Sequence, residues 1–355
     1  MSTTQPLQSV VDVRLPIIQA PMAGVQGSEL AAAVSNAGGL GSLPCALLSL
    51  DALAKEMVAL TSKTSQPYNI NFFCHPQPAP DPRREMEWRA ALAPYYEELE
   101  IDAATIPSGP GRTPFSHEAA DVIEGFRPPV VSFHFGLPAR ELLQRVRGWG
   151  AKVLSSATTV DEARWLEAQG VDGIIAQGLE AGGHRGMFLS ADVNTQIGTL
   201  ALVPQIARAV SIPVVAAGGV ADAAGVVAIR LLGAAAAQVG TAYLLCPEAT
   251  TSTIHRAALT SDAARITALT NVFTGRPARG IVNRIVRELG PMSERAPAFP
   301  LASAAIAPLR AEAERRGLSD FSPLWAGQNI SGCREVSAGV LTSDLGEAFH
   351  DDRRA

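Results

Sequence analysis

The sequence predicts an α/β fold: a (β/α)8 (TIM) barrel with an added, mainly helical C-terminal segment that caps the active site. Three observations predict it. Short β-prone runs, most of them bounded by Gly or Pro, alternate with longer alanine-rich amphipathic stretches. Eight such alternations favour a closed parallel barrel over an open doubly wound sheet. Several runs are apolar throughout, which is typical of strands that are buried on both faces.

The predicted strands follow one another along the whole first two-thirds of the chain. They span residues 16–22, 39–44, 68–73, 129–136, 152–157, 173–178, 213–219 and 236–241. The stretches between them predict helices, and glycine often stands where a helix would end. No G-x-G-x-x-G motif follows the first strand, so nothing supports a dinucleotide-binding Rossmann unit.

The domain organisation follows from where this repeat is interrupted. We assign residues 1–249 to the barrel, with a Pro-rich insertion at about 74–128 between the third and fourth strands. Residues 250–320 are expected to be mainly helical and to cap the mouth of the barrel. Residues 321–355 form a tail that is expected to return to the barrel.

Composition and charge exclude several classes of partner. The 355 residues are 47% hydrophobic and 18% charged, as in an ordinary soluble globular protein. The net charge of −5 argues against nucleic-acid or acidic-membrane binding, and no signal peptide or membrane-spanning segment is predicted. The four cysteines are scattered, as is typical of reduced thiols in the cytoplasm. We expect a cytoplasmic monomer or homodimer that acts on small molecules.

In a barrel of this kind the chemistry lies at the carboxyl ends of the strands. This rule gathers one group of residues around a single pocket: Asn71, His134, Gln177, His184, Gly218, Gly219, Gln238, Gly240 and Thr241. The glycines of the last three strand-end loops predict a phosphate site, because backbone N–H groups can converge where no Cβ intervenes. The two amides, Asn71 and Gln177, could bind the edge of a flavin or simply hold loops in place.

Histidine is the candidate catalytic residue type. His184 lies in QGLEAGGHRGMF and could act as base, acid or anion ligand, or it could be an ordinary loop residue. His134 alternates with apolar neighbours, so it could point into the pocket or pack in the core. The adjacent pair Cys74 and His75 lacks the spacing of a metal site, and we expect no metal.

Other barrel chemistries have weak support. Only three lysines occur, and Lys152 opens its strand at the end opposite to that required for a Schiff-base aldolase. A phosphosugar isomerase would need a carboxylate at a strand end, for which Glu180 is the nearest candidate.

Four long motifs carry a family resemblance. They are PIIQAPMAGVQ with GGLGSLPCALL, then NINFFCHPQP, then VVSFHFGLP, then QGLEAGGHRGMF. Together they resemble class I nitronate monooxygenases, formerly called 2-nitropropane dioxygenases. AAGGVAD and QVGTAYL resemble the phosphate-binding end of that family, and FTGRPAR and PLWAGQ resemble its C-terminal part. The resemblance covers essentially the whole chain, although the Pro-rich insertion and residues 290–320 diverge.

This resemblance implies an FMN-binding barrel in which His184 is catalytic. By motif, the residues that contact FMN would be Met22, Asn71, Gln177, Gly182, Gly219, Gln238, Val239, Gly240 and Thr241. His134 and His75 are further candidates for contact with the substrate anion. The implied reaction oxidises an alkyl nitronate, such as propionate 3-nitronate, with O2 to a carbonyl compound and nitrite, which is a detoxification.

Two alternatives remain open from the sequence. One is a sister activity on the same scaffold, an FMN-dependent NAD(P)H:quinone reductase or an enoyl-thioester reductase. The other is a phosphate-ligand barrel without flavin, either an isomerase or a non-catalytic binder.

Overall fold

The computed structural model describes residues 5–350 except for residues 103, 105 and 107–110. The start of the predicted barrel segment (residues 1–4), the end of the predicted tail (residues 351–355) and part of the Pro-rich insertion therefore lie outside the described residues. The first nine strands, in chain order, are β1 (Ile17–Gln19), β2 (Gly41–Pro44), β3 (Tyr68–Phe73), β4 (Val130–His134), β5 (Lys152–Ala157), β6 (Gly173–Gln177), β7 (Gly183–His184), β8 (Val214–Ala217) and β9 (Ala236–Val239).

Eight of these strands, all but β7, form one parallel sheet in the order β1-β9-β8-β6-β5-β4-β3-β2. A parallel bridge between Ile18 and Leu40, the residue before β2, joins the two edges of the sheet. The predicted barrel is thereby confirmed. The register of the sheet aligns the carboxyl ends of β6, β8 and β9. Gln177 pairs with Ala217, and Ala217 pairs with Gln238.

Twelve helices lie in the described part of the chain. They are α1 (Ser28–Asn36), α2 (Leu50–Lys63), α3 (Pro82–Glu98), α4 (His117–Glu124), α5 (Arg140–Gly148), α6 (Val160–Ala168), α7 (Thr199–Ala209), α8 (Ala223–Leu231), α9 (Thr253–Leu259), α10 (Arg284–Leu289), α11 (Ala302–Arg315) and α12 (Ala338–His350). Several begin at a residue whose side chain accepts a backbone N–H, such as Ser49 before α2 and Asp222 before α8. α12 packs against both α1 and α8, so the C-terminal helix completes the outer layer of helices.

The barrel interior is filled at one end only. Alternate strand residues such as Ile18, Leu154 and Ile175 point inward, and Leu7 and Val11 of the N-terminal segment pack against them. Their neighbours along the strands, such as Ile17 and Ile174, point outward into the larger core beneath the helices. Because the amino-terminal end of the barrel is closed in this way, the free end is the one where the strands finish.

A second apolar cluster joins the Pro-rich insertion to the C-terminal segment. α3 of the insertion packs against α11, with Trp88 almost fully buried between them. The Trp88 Nε1 atom donates to the carbonyl of Ala302 at 3.3 Å, and the Tyr96 hydroxyl donates to the carbonyl of Ala305 at 2.7 Å. Two segments that are remote in sequence thus form a single lobe.

The segment 250–320, predicted from the sequence to be mainly helical, also contains β-structure. Strands β10 (Thr267–Thr270) and β11 (Ala278–Ile281) form an antiparallel hairpin, and β11 pairs with β7 as well. Each hairpin strand is only four residues long, and neither TALT nor ARGI shows the alternation of apolar and polar residues that predicts a strand. Only α9, α10 and α11 of this segment are α-helical.

Candidate active site

A single pocket of about 1300 Å³, including its open mouth, lies at the carboxyl ends of the barrel strands. Most of the predicted site residues line it: Met22, Asn71, His134, Gln177, Gly182, His184, Gly218, Gly219, Gln238, Gly240 and Thr241. Two predicted residues do not line it. The Val239 side chain points into the core beneath the helices, and His75 is buried beside the pocket.

Glycines shape one side of this pocket. Gly218 and Gly219 have φ angles of +117° and +74°, in the left-handed region that favours glycine. At Gly183, whose φ is +72°, a Cβ would meet no atom within 4 Å. Among the described residues, no acceptor is present for the backbone N–H groups of Gly219, Val220 and Gly240. Free N–H groups on an open glycine surface suit a phosphate or another anion.

Residues 325–329, which belong to the tail that the sequence predicts to return to the barrel, lie over these strand-end loops. A Cβ added to Gly182 would lie 2.6 Å from backbone atoms of Ala326 and Gly327. The Gly327 N–H donates to the Thr241 hydroxyl at 2.9 Å, and the Asn329 amide donates to the carbonyl of Gly219 at 2.9 Å. Gly182 is therefore required for close backbone packing. The PLWAGQ motif was the only sequence signal for this contact.

The three amide side chains of the site differ in how fully they are bonded. The Gln177 Nε2 atom donates to the carbonyl of His184 at 2.9 Å, and its Oε1 atom accepts the N–H of Gly186 at 2.8 Å. This amide holds both sides of the histidine loop. Asn71 donates to the hydroxyl of Ser132 at 2.9 Å, which leaves its Oδ1 atom without a donor among the described residues. The Gln238 Oε1 atom is buried and also lacks a partner there.

Glu180, the candidate isomerase carboxylate, is engaged elsewhere. Its carboxylate accepts both the N–H and the hydroxyl of Thr199, each at 2.8 Å, and thereby caps the start of α7. Glu180 does not line the pocket. It is therefore poorly placed to remove a proton from a bound ligand.

His184 is held by the C-terminal hairpin. It pairs with Ala278 of β11, and its Nε2 atom lies 2.9 Å from the Oγ1 atom of Thr274. No partner for Nδ1 is found in the described part of the chain. Burial, followed by the positive charge of Arg112, lowers the pKa of His184 well below its ordinary value of 6.5. The ring is therefore neutral at physiological pH.

His134 supports the backbone of that loop. Its Nε2 atom donates to the carbonyl of His184 at 3.1 Å, and its Nδ1 atom accepts from the Ser156 hydroxyl at 2.9 Å. Burial lowers the pKa of His134 to about 3, so this ring is also neutral. Both ring nitrogens are occupied by protein groups.

His75 lies behind the wall of the pocket. Its side chain is 2% exposed and packs edge-on against Phe135 and Phe299, and neither ring nitrogen has a partner among the described residues. Burial and the nearby guanidinium of Arg276 lower its pKa to about 4. The structure thus places His75 next to His184 without exposing it to a ligand.

Two arginines that were not predicted as site residues from the sequence supply positive charge around His184. Arg112 comes from the Pro-rich insertion and lines the pocket, with its guanidinium carbon 5.5 Å from the centre of the Phe299 ring. Arg276 lies 4.0 Å from the Phe135 ring centre and donates to the carbonyl of Met187. Burial lowers the pKa of each to about 10, so both remain charged at neutral pH.

The residues lining the pocket include no carboxylate, but they do include Phe73 and Trp325. Positive charge beside an aromatic wall favours an organic anion and excludes water. In the described ranges no cluster of His, Cys, Asp or Glu could hold a metal ion. No described helix is long and apolar enough to cross a bilayer.

Comparisons with known proteins agree with this geometry. The family model described as nitronate monooxygenase matches residues 4–347. The chain is 41% identical over 350 residues to a nitronate monooxygenase from Pseudomonas aeruginosa, covering 95% of this chain and 97% of that one. A crystal structure of nitroalkane oxidase from Streptomyces ansochromogenes is similar at 40% identity and a TM-score of 0.88, covering 98% of each chain. FabK from Thermotoga maritima is similar at 26% identity and a TM-score of 0.70, covering 98% of this chain and 96% of that one.

Proposed function

The chain belongs to the nitronate monooxygenase family, and on that premise we propose that it oxidises alkyl nitronates with O2 to a carbonyl compound and nitrite. One observation carries the proposal beyond family membership. A neutral histidine faces a pocket that contains fixed positive charge and no carboxylate among its lining residues. Such a pocket attracts an anion, which is the form in which a nitronate exists.

Members of this family depend on flavin, and we propose FMN as the specific form. The pocket fits that cofactor. The free N–H groups of Gly219 and Gly240 would receive the phosphate, and the unpartnered Gln238 Oε1 atom would accept from the ring system. Asn71 would contribute its free Oδ1 atom, and Met22, Gln177, Gly182 and Thr241 would contact the cofactor as the motifs imply. When bound, FMN supplies the redox chemistry with O2.

Side chains of the protein attract the substrate to the pocket and orient it there. The positive charge of Arg112, which lines the pocket, attracts the nitronate, and the charge of Arg276, which lies outside the lining, adds to it. Removal of water from the aromatic pocket strengthens this electrostatic interaction. His184 packs against the substrate and orients it, with the ring nitrogen that Thr274 does not bind directed to the pocket. Because a nitronate is already deprotonated, His184 has no carbon proton to remove from it. It would act as a base only towards a neutral nitroalkane.

For the other two histidines we propose positioning roles in place of substrate contact. The ring nitrogens of His134 are both used to hold the His184 loop and Ser156. His75 lies behind the aromatic wall and fixes the packing of Phe135 and Phe299.

We further propose that the physiological nitronate carries a second anionic group, as propionate 3-nitronate does. Arg112 supports this, since it lines the pocket and makes no ion pair or hydrogen bond through its guanidinium in the described part of the chain. A partly buried cation that has an aromatic neighbour but no anionic one among the described residues gains from an anionic ligand. We also propose that this detoxification takes place in the cytoplasm, which the four free thiols support.

The test combines a spectrum with a turnover assay. The purified protein should show the visible absorption of flavin, and adding propionate 3-nitronate should cause O2 uptake and nitrite release. His184→Asn should keep the bound flavin and lose about 100-fold in turnover, the size of effect that misplacing a bound substrate causes. Unchanged nitrite release by this variant would refute the assignment of His184.

The same preparation separates the alternatives. Rapid NADH oxidation in the absence of nitronate would favour a quinone or enoyl-thioester reductase. A colourless protein that takes up no FMN would favour a phosphate-ligand barrel without flavin.

A further inference from the structure

The β10–β11 hairpin is built around His184. Its connecting loop places Thr274, which is 3% exposed, with its Oγ1 atom 2.9 Å from the Nε2 atom of His184. The carbonyl of Pro277, in the same loop, accepts the N–H of Arg185 at 2.9 Å. Thr274 is thus the one side chain in the described residues that hydrogen-bonds the ring of His184.

The direction of this hydrogen bond follows from the second partner of Thr274. Its hydroxyl donates to the carbonyl of Arg276 at 3.4 Å, and a hydroxyl has only one hydrogen to donate. With its hydrogen directed to that carbonyl, the Oγ1 atom of Thr274 accepts from Nε2–H of His184. We propose that Thr274 is a positioning residue that fixes His184 in the Nε2–H tautomer, with an unprotonated Nδ1 atom left for the substrate pocket. This inference rests on the proposed function of His184.

The tautomer limits what His184 does. An unprotonated Nδ1 atom accepts a proton or a hydrogen bond but donates neither, so it does not hydrogen-bond the nitronate oxygens. The charged or titratable groups that face the ring lie on separate elements: Arg112 in the insertion, His75 after β3, His134 on β4 and Arg276 in the hairpin. All of them disfavour a second proton on the ring, which preserves this arrangement through the neutral pH range.

Nitrogen-15 NMR of histidine-labelled holoenzyme tests the tautomer directly. The His184 signals are assigned by their loss in His184→Asn. In the wild type we expect one protonated nitrogen, Nε2, and one unprotonated nitrogen, Nδ1, with no titration between pH 6 and pH 8. In Thr274→Val the two shifts should move towards each other, because the ring no longer has an acceptor that selects one tautomer.

Matched variants separate positioning from simple stability. Thr274→Ser keeps the hydroxyl and should retain the wild-type NMR pattern and a kcat within about twofold of wild type. Thr274→Val should lower kcat with nitronate about tenfold, the effect of one hydrogen bond, with little change in KM. Thr270→Val makes the same substitution in the same hairpin, at a hydroxyl that accepts from Val272 and does not contact His184. It should leave the His184 signals unchanged.

Two results would overturn the inference: a wild-type His184 protonated at Nδ1, or an unchanged spectrum in Thr274→Val. Failure of the proposed function is distinguishable from both. A wild-type enzyme that releases no nitrite would refute that function, whereas the NMR measurement reports on the tautomer whether or not nitronate is the substrate.

Discussion

Arg112 offers the sharpest test of which nitronate the pocket accepts. Its guanidinium carbon lies 5.5 Å from the Phe299 ring centre, which lies 5.4 Å from the His184 ring centre, so the two side chains are at most about 11 Å apart. In propionate 3-nitronate, roughly 4 Å separates the nitronate nitrogen from the carboxylate carbon, at bond lengths of about 1.5 Å. With a contact of about 2.8 Å at the carboxylate, one substrate can reach Arg112 while it lies against His184.

The perturbation is Arg112→Gln, with Arg112→Lys as the control that keeps the positive charge. A hydrogen bond to a charged group contributes about 1.5–3 kcal/mol, which corresponds to a loss of about 10- to 150-fold in kcat/KM. A nitronate with an uncharged chain, such as propyl-1-nitronate, does not form this contact and should lose much less. The lysine variant should retain most of the preference for the carboxylated substrate.

The assay is nitrite release under matched conditions with both nitronates, at low salt and again at high salt. The ratio of the two kcat/KM values measures the contribution of the carboxylate and cancels general damage to the enzyme. An equal loss for both substrates in Arg112→Gln would refute the reasoning, since Arg112 would then act on the nitronate group or on folding alone.

Two further predictions follow from packing and burial. Gly182→Ala should release residues 325–329 and lower the flavin-to-protein ratio of the purified enzyme, because the new Cβ would lie 2.6 Å from the backbone of Ala326 and Gly327. Gly148→Ala, where a Cβ meets nothing within 4 Å, is the control, and equal ratios in the two variants would contradict the assignment. His75→Phe should make the folding stability of the protein depend less steeply on pH in the acid range. Folded His75 resists protonation down to about pH 4, whereas the unfolded chain takes up the proton near pH 6.5, so stability falls as pH decreases through that window. Within that window, each unit of pH decrease lowers the free energy of unfolding by up to about 1.4 kcal/mol per histidine. The measurement is the urea midpoint between pH 4.5 and pH 7.5, and the same pH dependence in wild type and variant would refute this prediction.

The fold and the location of the pocket could be predicted because both depend on local patterns. Apolar runs bounded by Gly or Pro mark the strands, and parallel strands bring their carboxyl ends to one side. For this reason Gln177, His184 and Gln238 could be placed around one pocket before any contact was known. The hairpin could not be predicted in the same way, because its four-residue strands TALT and ARGI are neither apolar throughout nor alternating. Its pairing with β7, which lies far upstream in the chain, leaves no local pattern either.

The roles of individual side chains needed the tertiary structure for a related reason. The sequence leaves open whether the Gln177 amide binds a flavin or holds a loop, and the structure shows it bonded on both sides of the His184 loop. Arg112 had no recognisable motif, since its importance comes from where the Pro-rich insertion packs. Nor does the sequence distinguish Val239, which points outward, from its neighbours that face the pocket by backbone or side chain.

By itself, then, the sequence determined the barrel, the strand-end pocket and the histidine within it, because these follow from periodicity and from a rule about parallel strands. Only the tertiary structure decided the state of that histidine. Its neutrality comes from burial beside Arg112 and Arg276, and its hydrogen bond comes from Thr274. The pKa and tautomer of a side chain depend on charges and acceptors within a few ångströms of it, and here those groups come from parts of the chain that only folding brings together.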